Sequence, residues 1–561
     1  MADISEYTSN LNREEVKLLL RRIQFGVSKS EIDANIGKTP SQIVAQALTP
    51  ISEMPDPPID PKTGDTWLNP KQTDANSEGR DLMGYFLGWW LERMRTSSLN
   101  ITEKMVHFYH THFTCKSEKV NVTPIYYQNA LFRQYALGNF KELAYKICFD
   151  NAMIEFLDSQ LNDNGRPNEN FAREFLELYT IGKGPQVSAE DYTNYTETDI
   201  QEAARVLSGI NIDKTFTNID EDTGLPMGVI KTSSDIIPQL GTGPASRHDP
   251  DPKEFNGSLG GGGTTIQPTA MFNNKATIDA TYQEIADFND MIFEREETAR
   301  HICRKIYRYF SYYQITDEVE NDIIGPLSQT FIANDFNVAP VLNQLLISKH
   351  FYDVDTTATN DDHKGALIKS PVELLVGTFK FLELDIDALS GNLNLFYHEL
   401  YRSNVIPHLT KMGIKLYDPP EVAGYPAYHQ TPEYNRNWIT ANNLGQRYAL
   451  IDELVEGYKD EDDNIVLNFD VMDFIENSGH FPDPTDVNEV VGTLINYLFP
   501  REVSEDRFNY FRDTVLLDNL SITNWFNEWQ NYQSTGDDTA VRTQLGALVK
   551  EIIQSPEYQL F

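Results

Sequence analysis

The sequence predicts a mostly α protein: a large multi-helix assembly carrying one long, turn-rich loop insertion with room for short β-hairpins. Three observations predict it. Apolar residues recur at helical spacing over most of the chain, as in Val16, Leu19, Leu20 and Ile23 near its start. That period vanishes between residues 211 and 277, where Gly, Pro, Asp and Thr dominate. And 561 residues with 40% hydrophobic and 11% aromatic content supply enough apolar side chain for a large core.

Taken in order, residues 12–25 read as an amphipathic helix closed by Gly26. A short helix follows over 40–48, and 55–74 is a proline- and turn-rich surface loop. The aromatic run YFLGWWLERM gives 81–94 the look of a buried helix. In the helix of 100–113, Ile101, Met105 and Phe108 form an inward stripe that His112 continues, while His110 lies on another face with Val106 and Phe113. Residues 129–149 make one long helix or two, interrupted near Gly138, and Thr196 caps a helix to Leu207 with Asp199 three residues on. Helical patterning returns at 279–310, 338–351 and 370–382 and resumes after Leu444, around an acidic turn at 460–463. Residues 417–437 are loop-like, rich in Pro and Tyr.

The formal net charge of −38 repels phosphate backbones and anionic lipid, so nucleic acid and membrane surfaces are not expected partners. Cys115, Cys148 and Cys303 have no CxxC spacing and read as free, buried thiols. The N-terminal MADISEYTSNLNREEV has no basic region leading into an apolar run, so no signal peptide is expected in this chain. The Arg21–Arg22 pair is soon followed by polar residues and is assigned to a folded helix. No stretch is long and apolar enough to span a bilayer.

The stretch RPNENFAREFLELYTIGKG, residues 166–184, organises the polar chemistry. Phe171, Phe175 and Leu178 are its core stripe, and Gly182 and Gly184 stop it. Glu169, Arg173 and Glu177 follow at four-residue steps, so their side chains can touch, and Glu174 sits beside Glu177. A guanidinium among carboxylates suits a metal or sugar site, and equally a plain ion-paired helix face. In the insertion, RHDPDPKEFNG sets His248, Asp249 and Lys253 close together, as acid, base and anchor or as turn chemistry alone. His110 and His112 are candidate metal ligands, able to share one ion only if the helix ends there; a core histidine held by a backbone carbonyl is the plainer reading. The glycine run at 260–263 is not a phosphate loop, since no GK[ST] and no helix follow. HELYR lacks the second histidine of a zinc-protease helix.

These stretches together resemble a bacterial family known as domain of unknown function 1800. The resemblance is carried by LLRRIQFG (19–26), WWLERM (89–94), EKMVHFYHTHF (103–113), LFRQYALGNFKEL (131–143), NENFAREFLELYTIG (168–182) and YTETDIQEAARVLSG (195–209). HDPDPKEFNG (248–257), ETARHICRKIYRYF (297–310), IKSPVEL (368–374) and PPEVAGY (419–425) continue it to about residue 450. The expected organisation is a family-like helical domain over 1–450, containing the 211–277 insertion, and a C-terminal helical extension over 451–561. The resemblance implies a mainly helical fold, frequent export and a sulfatase- or alkaline-phosphatase-like partner. It places polar landmarks on His110, His112, Asn168, Glu169, Asn170, Arg173, Glu174, Glu177, His248, Asp249 and Lys253.

Two functions fit. The first is an envelope-associated or secreted hydrolase- or lyase-type enzyme acting on a polysaccharide or ester. In it Glu169, Arg173, Glu174, Glu177, His248, Asp249 and Lys253 share one cleft, with a divalent metal on His110 and His112. The second is a non-catalytic helical scaffold for the phosphatase-like partner, its polar residues forming a buried network that fixes the fold.

Overall fold

The first helix, Arg13–Ile23, begins where its capping chemistry dictates. Asn12 accepts from the Glu15 amide, and the Glu15 carboxylate reaches back to the Asn12 amide. Arg21 and Arg22 occupy its last turn, inside the fold. The same reciprocal cap starts Pro40–Ala47 from Thr39, Glu197–Val206 from Thr196 and Pro371–Phe381 from Ser370. The computed structural model describes residues 2–68, 79–189, 191–232, 243–355 and 367–561. Among these residues helices dominate, and the β structure is four two-stranded antiparallel ribbons, so the chain is mostly α. One cluster of buried apolar side chains extends from Ala2 to Phe561. No helix of the described residues is long and apolar enough to cross a membrane. Cys115, Cys148 and Cys303 are free and buried.

The aromatic helix, Gly79–Thr96, lies at the centre and is tied to its neighbours by a buried polar knot. Arg133, from the Val122–Gln134 helix, grips Glu103 through two bonds of 3.0 and 2.9 Å. Glu103 also accepts from Trp90 Nε1 at 3.0 Å, and Asn129 accepts from Arg133 at 2.8 Å. The guanidinium stacks over Trp89. Three helices are thereby registered by a charge pair whose hydrogen bonds offset its desolvation.

The interruption near Gly138 divides two helices, Val122–Gln134 and Phe140–Ile147. The 211–277 insertion folds as three small ribbons over its described residues: Ile210–Asn211 with Val229–Ile230, Lys253–Phe255 with Thr264–Ile266, and Met271–Phe272 with Lys275–Ala276. The glycine run connects the second ribbon, with Gly261, Gly262 and Gly263 all at positive φ. The acidic turn closes a fourth ribbon, Tyr458–Lys459 with Ile465–Leu467.

Residues after 450 build their own helix cluster around Thr539–Gln554, which packs on Ala441–Glu456, Val487–Leu498 and Tyr510–Leu516. They also enter the front of the chain. Lys17 donates to the carbonyls of Asn496 and Phe499, and Ile368 bridges to Leu560.

One correction concerns the organising helix. Phe171 and Phe175 are buried, but Leu178 is only partly so, and Leu176 and Tyr179 are fully buried instead. The α-helix Asn170–Glu174 runs into a π-helical turn, Phe175–Tyr179. A π turn takes in an extra residue and so rotates the inward face.

The central helix meets the Asn394–Val405 π helix across Gly84 and Gly88. A methyl on Gly88 would stand 2.8 Å from Tyr401 Cβ, an atom fixed to its own backbone. Alanine gains about 1 kcal/mol of helix propensity, whereas overpacking of this kind costs about 1–3 kcal/mol. Gly88→Ala should therefore lower stability in urea denaturation. Gly546→Ala, whose methyl meets nothing within 4 Å, should raise it by about 0.5–1 kcal/mol.

Candidate active site

The residues leading into the organising helix serve its geometry. Asn168 accepts from the Asn170 amide and donates to the Asp158 carbonyl, and Asn170 donates to the Leu157 carbonyl. Arg173 touches Glu169 at 3.3 Å and Glu177 at 4.0 Å, as the four-residue spacing requires. Its tightest partner comes from another helix: Glu197 takes both guanidinium nitrogens, at 3.0 and 2.6 Å. Glu177 accepts from the Tyr195 hydroxyl at 2.6 Å and from Lys183 at 2.8 Å. Glu174 differs from the others. It is half-buried, makes no hydrogen bond or ion pair with the described residues, and burial followed by repulsion from Glu177 pushes its carboxyl up to about 7.

The C-terminal end of this helix is where polar groups converge. The last carbonyls of a helix lack intrahelical donors, and here other elements supply them. The Thr180 hydroxyl donates to the Phe175 carbonyl and the Gly182 amide to that of Leu176. Lys305, on the helix Glu296–Phe310, donates to the Leu178 carbonyl at 2.8 Å, and His112 Nε2–H donates to the Tyr179 carbonyl at 3.0 Å. That bond fixes the His112 tautomer, leaving Nδ1 to accept from Lys305 Nζ at 3.1 Å.

Lys305 is deep in the fold yet keeps partial solvent exposure. Burial, reinforced by the Arg308 charge, pulls its amine down to about 7. His301, one turn earlier on the same face, is also deep and partly exposed, with Nε2 making no protein hydrogen bond. Burial holds His112 and His301 well below the ordinary imidazole range, with Lys305 adding to the effect. His429, beside Gly424, is lowered by burial and by the same amine, while Glu421 acts against the shift. Gly182 lies against this group: at φ +74, a methyl there would stand 2.5 Å from His301 Nδ1.

The other polar landmarks lie apart from this group. His110 points among Trp90, Tyr417 and Tyr425, with Nε2 3.1 Å from the Tyr425 hydroxyl. The helix does end at His112, but the two imidazoles enter separate surroundings. Among the described residues no group of three or more His, Cys, Asp or Glu side chains could hold a metal ion. His248 donates through Nδ1 to the Ser208 carbonyl and sets Nε2 2.8 Å from Glu284. Lys253 donates to Glu284 and to the Asp249 carbonyl, both at 2.6 Å, with its amine pulled down by burial against the pull of Glu284. The His248, Lys253 and Glu284 side chains are fully buried, and Asp249 pairs outward with Arg205 at 2.9 Å. No hydrogen bond or ion pair joins His248 or Lys253 to Glu174. This cluster anchors the insertion.

Sequence reading alone does not single out Lys305, His301, His429, Glu197 or Glu284. For the first two a signal existed: His301 and Lys305 stand four apart in ETARHICRKIYRYF, on one face of a strongly amphipathic helix.

Two outcomes follow for stability. Glu284→Ala leaves a buried ammonium unpaired and should cost about 3–5 kcal/mol in urea denaturation, against less than about 1 kcal/mol for Glu169→Ala at a screened, partly exposed pair. The Lys305 amine binds its proton more weakly folded than unfolded, so the penalty is full below about pH 7. It fades as pH rises toward the ordinary lysine value. Stability measured from about pH 7 upward should accordingly climb more steeply in the unaltered chain than in Lys305→Met.

No match is found among curated proteins or among solved structures. A family model matches residues 18–560, so it takes in the segments that supply His112, Glu174, His301, Lys305 and His429 as well as the helices after 450. The chain belongs to the family described as Protein of unknown function (DUF1800).

Proposed function

We propose that the protein is an acid–base enzyme of hydrolase or lyase type, acting on a polysaccharide or an ester, with its working groups at the end of the 170–179 helix. The observation that carries this reading is the setting of Lys305. Two of its N–H bonds are taken by His112 Nδ1 and the Leu178 carbonyl. With the amine lowered to about 7, the remaining position is a lone pair in a large fraction of molecules at neutral pH. That is a general base. His112 acts behind it, a neutral imidazole that orients the amine.

Glu174 is the matching acid. Its carboxyl, raised to about 7, keeps a proton to give near neutrality. Its charge acts on the phenol of Tyr179, the residue whose carbonyl receives His112. A base that removes a proton from water or from a substrate carbon, paired with an acid that protonates the leaving oxygen, serves hydrolysis and elimination alike. Arg308, on the helix of Lys305, adds positive charge near the amine, while Arg304 is paired with Glu297 and Glu320.

Activity should be bell-shaped in pH and greatest near 7. It rises as Lys305 loses its proton and falls as Glu174 loses its own. In a screen of chromogenic esters and polysaccharides, Lys305→Met should lower turnover by about 10²-fold or more, and Glu174→Gln should remove the alkaline limb. Competitive acetylation of the intact chain, read by mass spectrometry across pH, checks the base without a substrate. Lys305 labelling that tracks ordinary surface lysines, or variants that retain full turnover, would leave the scaffold reading in possession.

A further inference from the structure

A cavity of about 790 Å³ lies where the central helix, Gly79–Thr96, meets the start of the Val122–Gln134 helix and the Ile406–Lys411 helix. None of the residues grouped around Lys305 lines it. Its volume falls within the range of about 300–1,000 Å³ that small-molecule sites occupy. The lining divides by depth. Leu87, Val122, Leu409, Ile414 and Leu416 are buried, and Met83 and Ile406 are half-buried. The lining side chains that are exposed are polar, among them Arg80, Glu118, Lys411 and Lys415. An aliphatic interior under a polar rim calls for a ligand with an apolar body and one polar end.

Two features narrow that ligand. None of the described residues lining the cavity is aromatic, in a chain with 11% Phe, Trp and Tyr. Rings and bases are received by stacking, and quaternary ammonium groups by aromatic faces. A flexible alkyl chain needs only aliphatic contact. The second feature is charge. Arg80, Arg402, Lys411 and Lys415 line the cavity beside one carboxylate, Glu118. Three of these cations have partners. Arg402 pairs with Asp81 at 2.5 Å, and Lys415 with Asp418 and, at 3.5 Å, with Glu118. Lys411 stands 3.8 Å from Glu453, whose other oxygen meets His408 at 2.6 Å. Arg80 forms no ion pair with the described residues. A rim with one spare cation suits a head of one negative charge, and a multiply charged phosphate would find too few partners.

We propose that this cavity binds one long-chain fatty acid, its alkyl chain among Met83, Leu87, Leu409 and Leu416 and its carboxylate at Arg80. The occupant joins the central helix to the Ile406–Lys411 helix. Each methylene that it takes out of water tightens binding about fourfold, so the chain supplies the affinity and Arg80 the preference for an acid.

The test is calorimetric titration of the full chain with octanoate, decanoate, dodecanoate and dodecanol, each kept below its micelle or solubility limit. Affinity should rise about fourfold per methylene along the acids. Arg80→Gln, a change at the surface, should weaken dodecanoate by about two- to fivefold and leave dodecanol unchanged. Ile406→Trp, which fills the cavity, should abolish binding of both. If that variant does not fold, the unaltered chain gives the answer with a diazirine-bearing long-chain fatty acid. Light should then attach it to peptides spanning residues 79–87 or 406–416, read by mass spectrometry. No binding at any chain length, undiminished binding by folded Ile406→Trp, or labelling confined to other peptides overturns the proposal. Dodecanol binding as tightly as dodecanoate, with Arg80→Gln without effect, overturns its assignment to an acid.

Discussion

The carbonyls that a helix leaves unpaired at its C-terminal end are the constraint on which the centre of this protein depends. The π turn at Phe175–Tyr179 delivers two of them, Leu178 and Tyr179, to a buried place where water cannot serve every acceptor. The fold answers with side chains from two other helices, His112 and Lys305. Because a carbonyl only accepts, each bond dictates the state of its donor: His112 carries its proton on Nε2, and Lys305 spends an N–H on the backbone. The histidine's other nitrogen then becomes an acceptor for the amine. A structural need, capping a helix, thus produces an oriented amine with a lowered proton affinity.

The cluster of His248, Lys253 and Glu284 shows why similar residue types need not be reactive. There the carboxylate meets the ammonium at 2.6 Å and the imidazole at 2.8 Å, and all three side chains are out of contact with solvent. Both side chains meet the Glu284 carboxylate, and the Ser208 and Asp249 carbonyls take further N–H bonds of His248 and Lys253. Lys305 has a neutral acceptor set, an imidazole and a carbonyl, and partial access to water. The distinction lies in what surrounds each lysine.

This difference explains how much of the protein was legible in its sequence. Helix starts were readable because caps are local: Asn12, Thr39, Thr196 and Ser370 each find their partner three residues on. The Glu169–Arg173–Glu177 ladder was readable for the same reason. Leu178 packs only in part against the core because the π turn, which leaves no composition signature, shifts the face by one residue. The partners that decide each site, Glu197 for Arg173, Glu284 for His248 and Lys305 for His112, lie from 24 to 193 residues away in sequence. Periodicity has no access to such pairings. His110 and His112 looked alike as candidates, and only the packing of Tyr417 and Tyr425 against one and of Lys305 against the other separates them.

Buried cations in this chain follow two routes, set by the chemistry of the side chain. A lysine taken out of water can surrender its proton, and then what was a cost in stability becomes a base. A guanidinium cannot, because its proton affinity starts too high for burial to reach neutrality. It must be matched by carbonyls, by carboxylates or by an ion from solution. The helix ending in Arg21 and Arg22 has taken the second route, leaning on the carbonyls of Tyr497 and Leu498 and on the terminal main-chain oxygen of Phe561. The helix bearing Lys305 has taken the first. The interior therefore sets how each buried cation is held, the amine by a lowered proton affinity and the arginines by their acceptors.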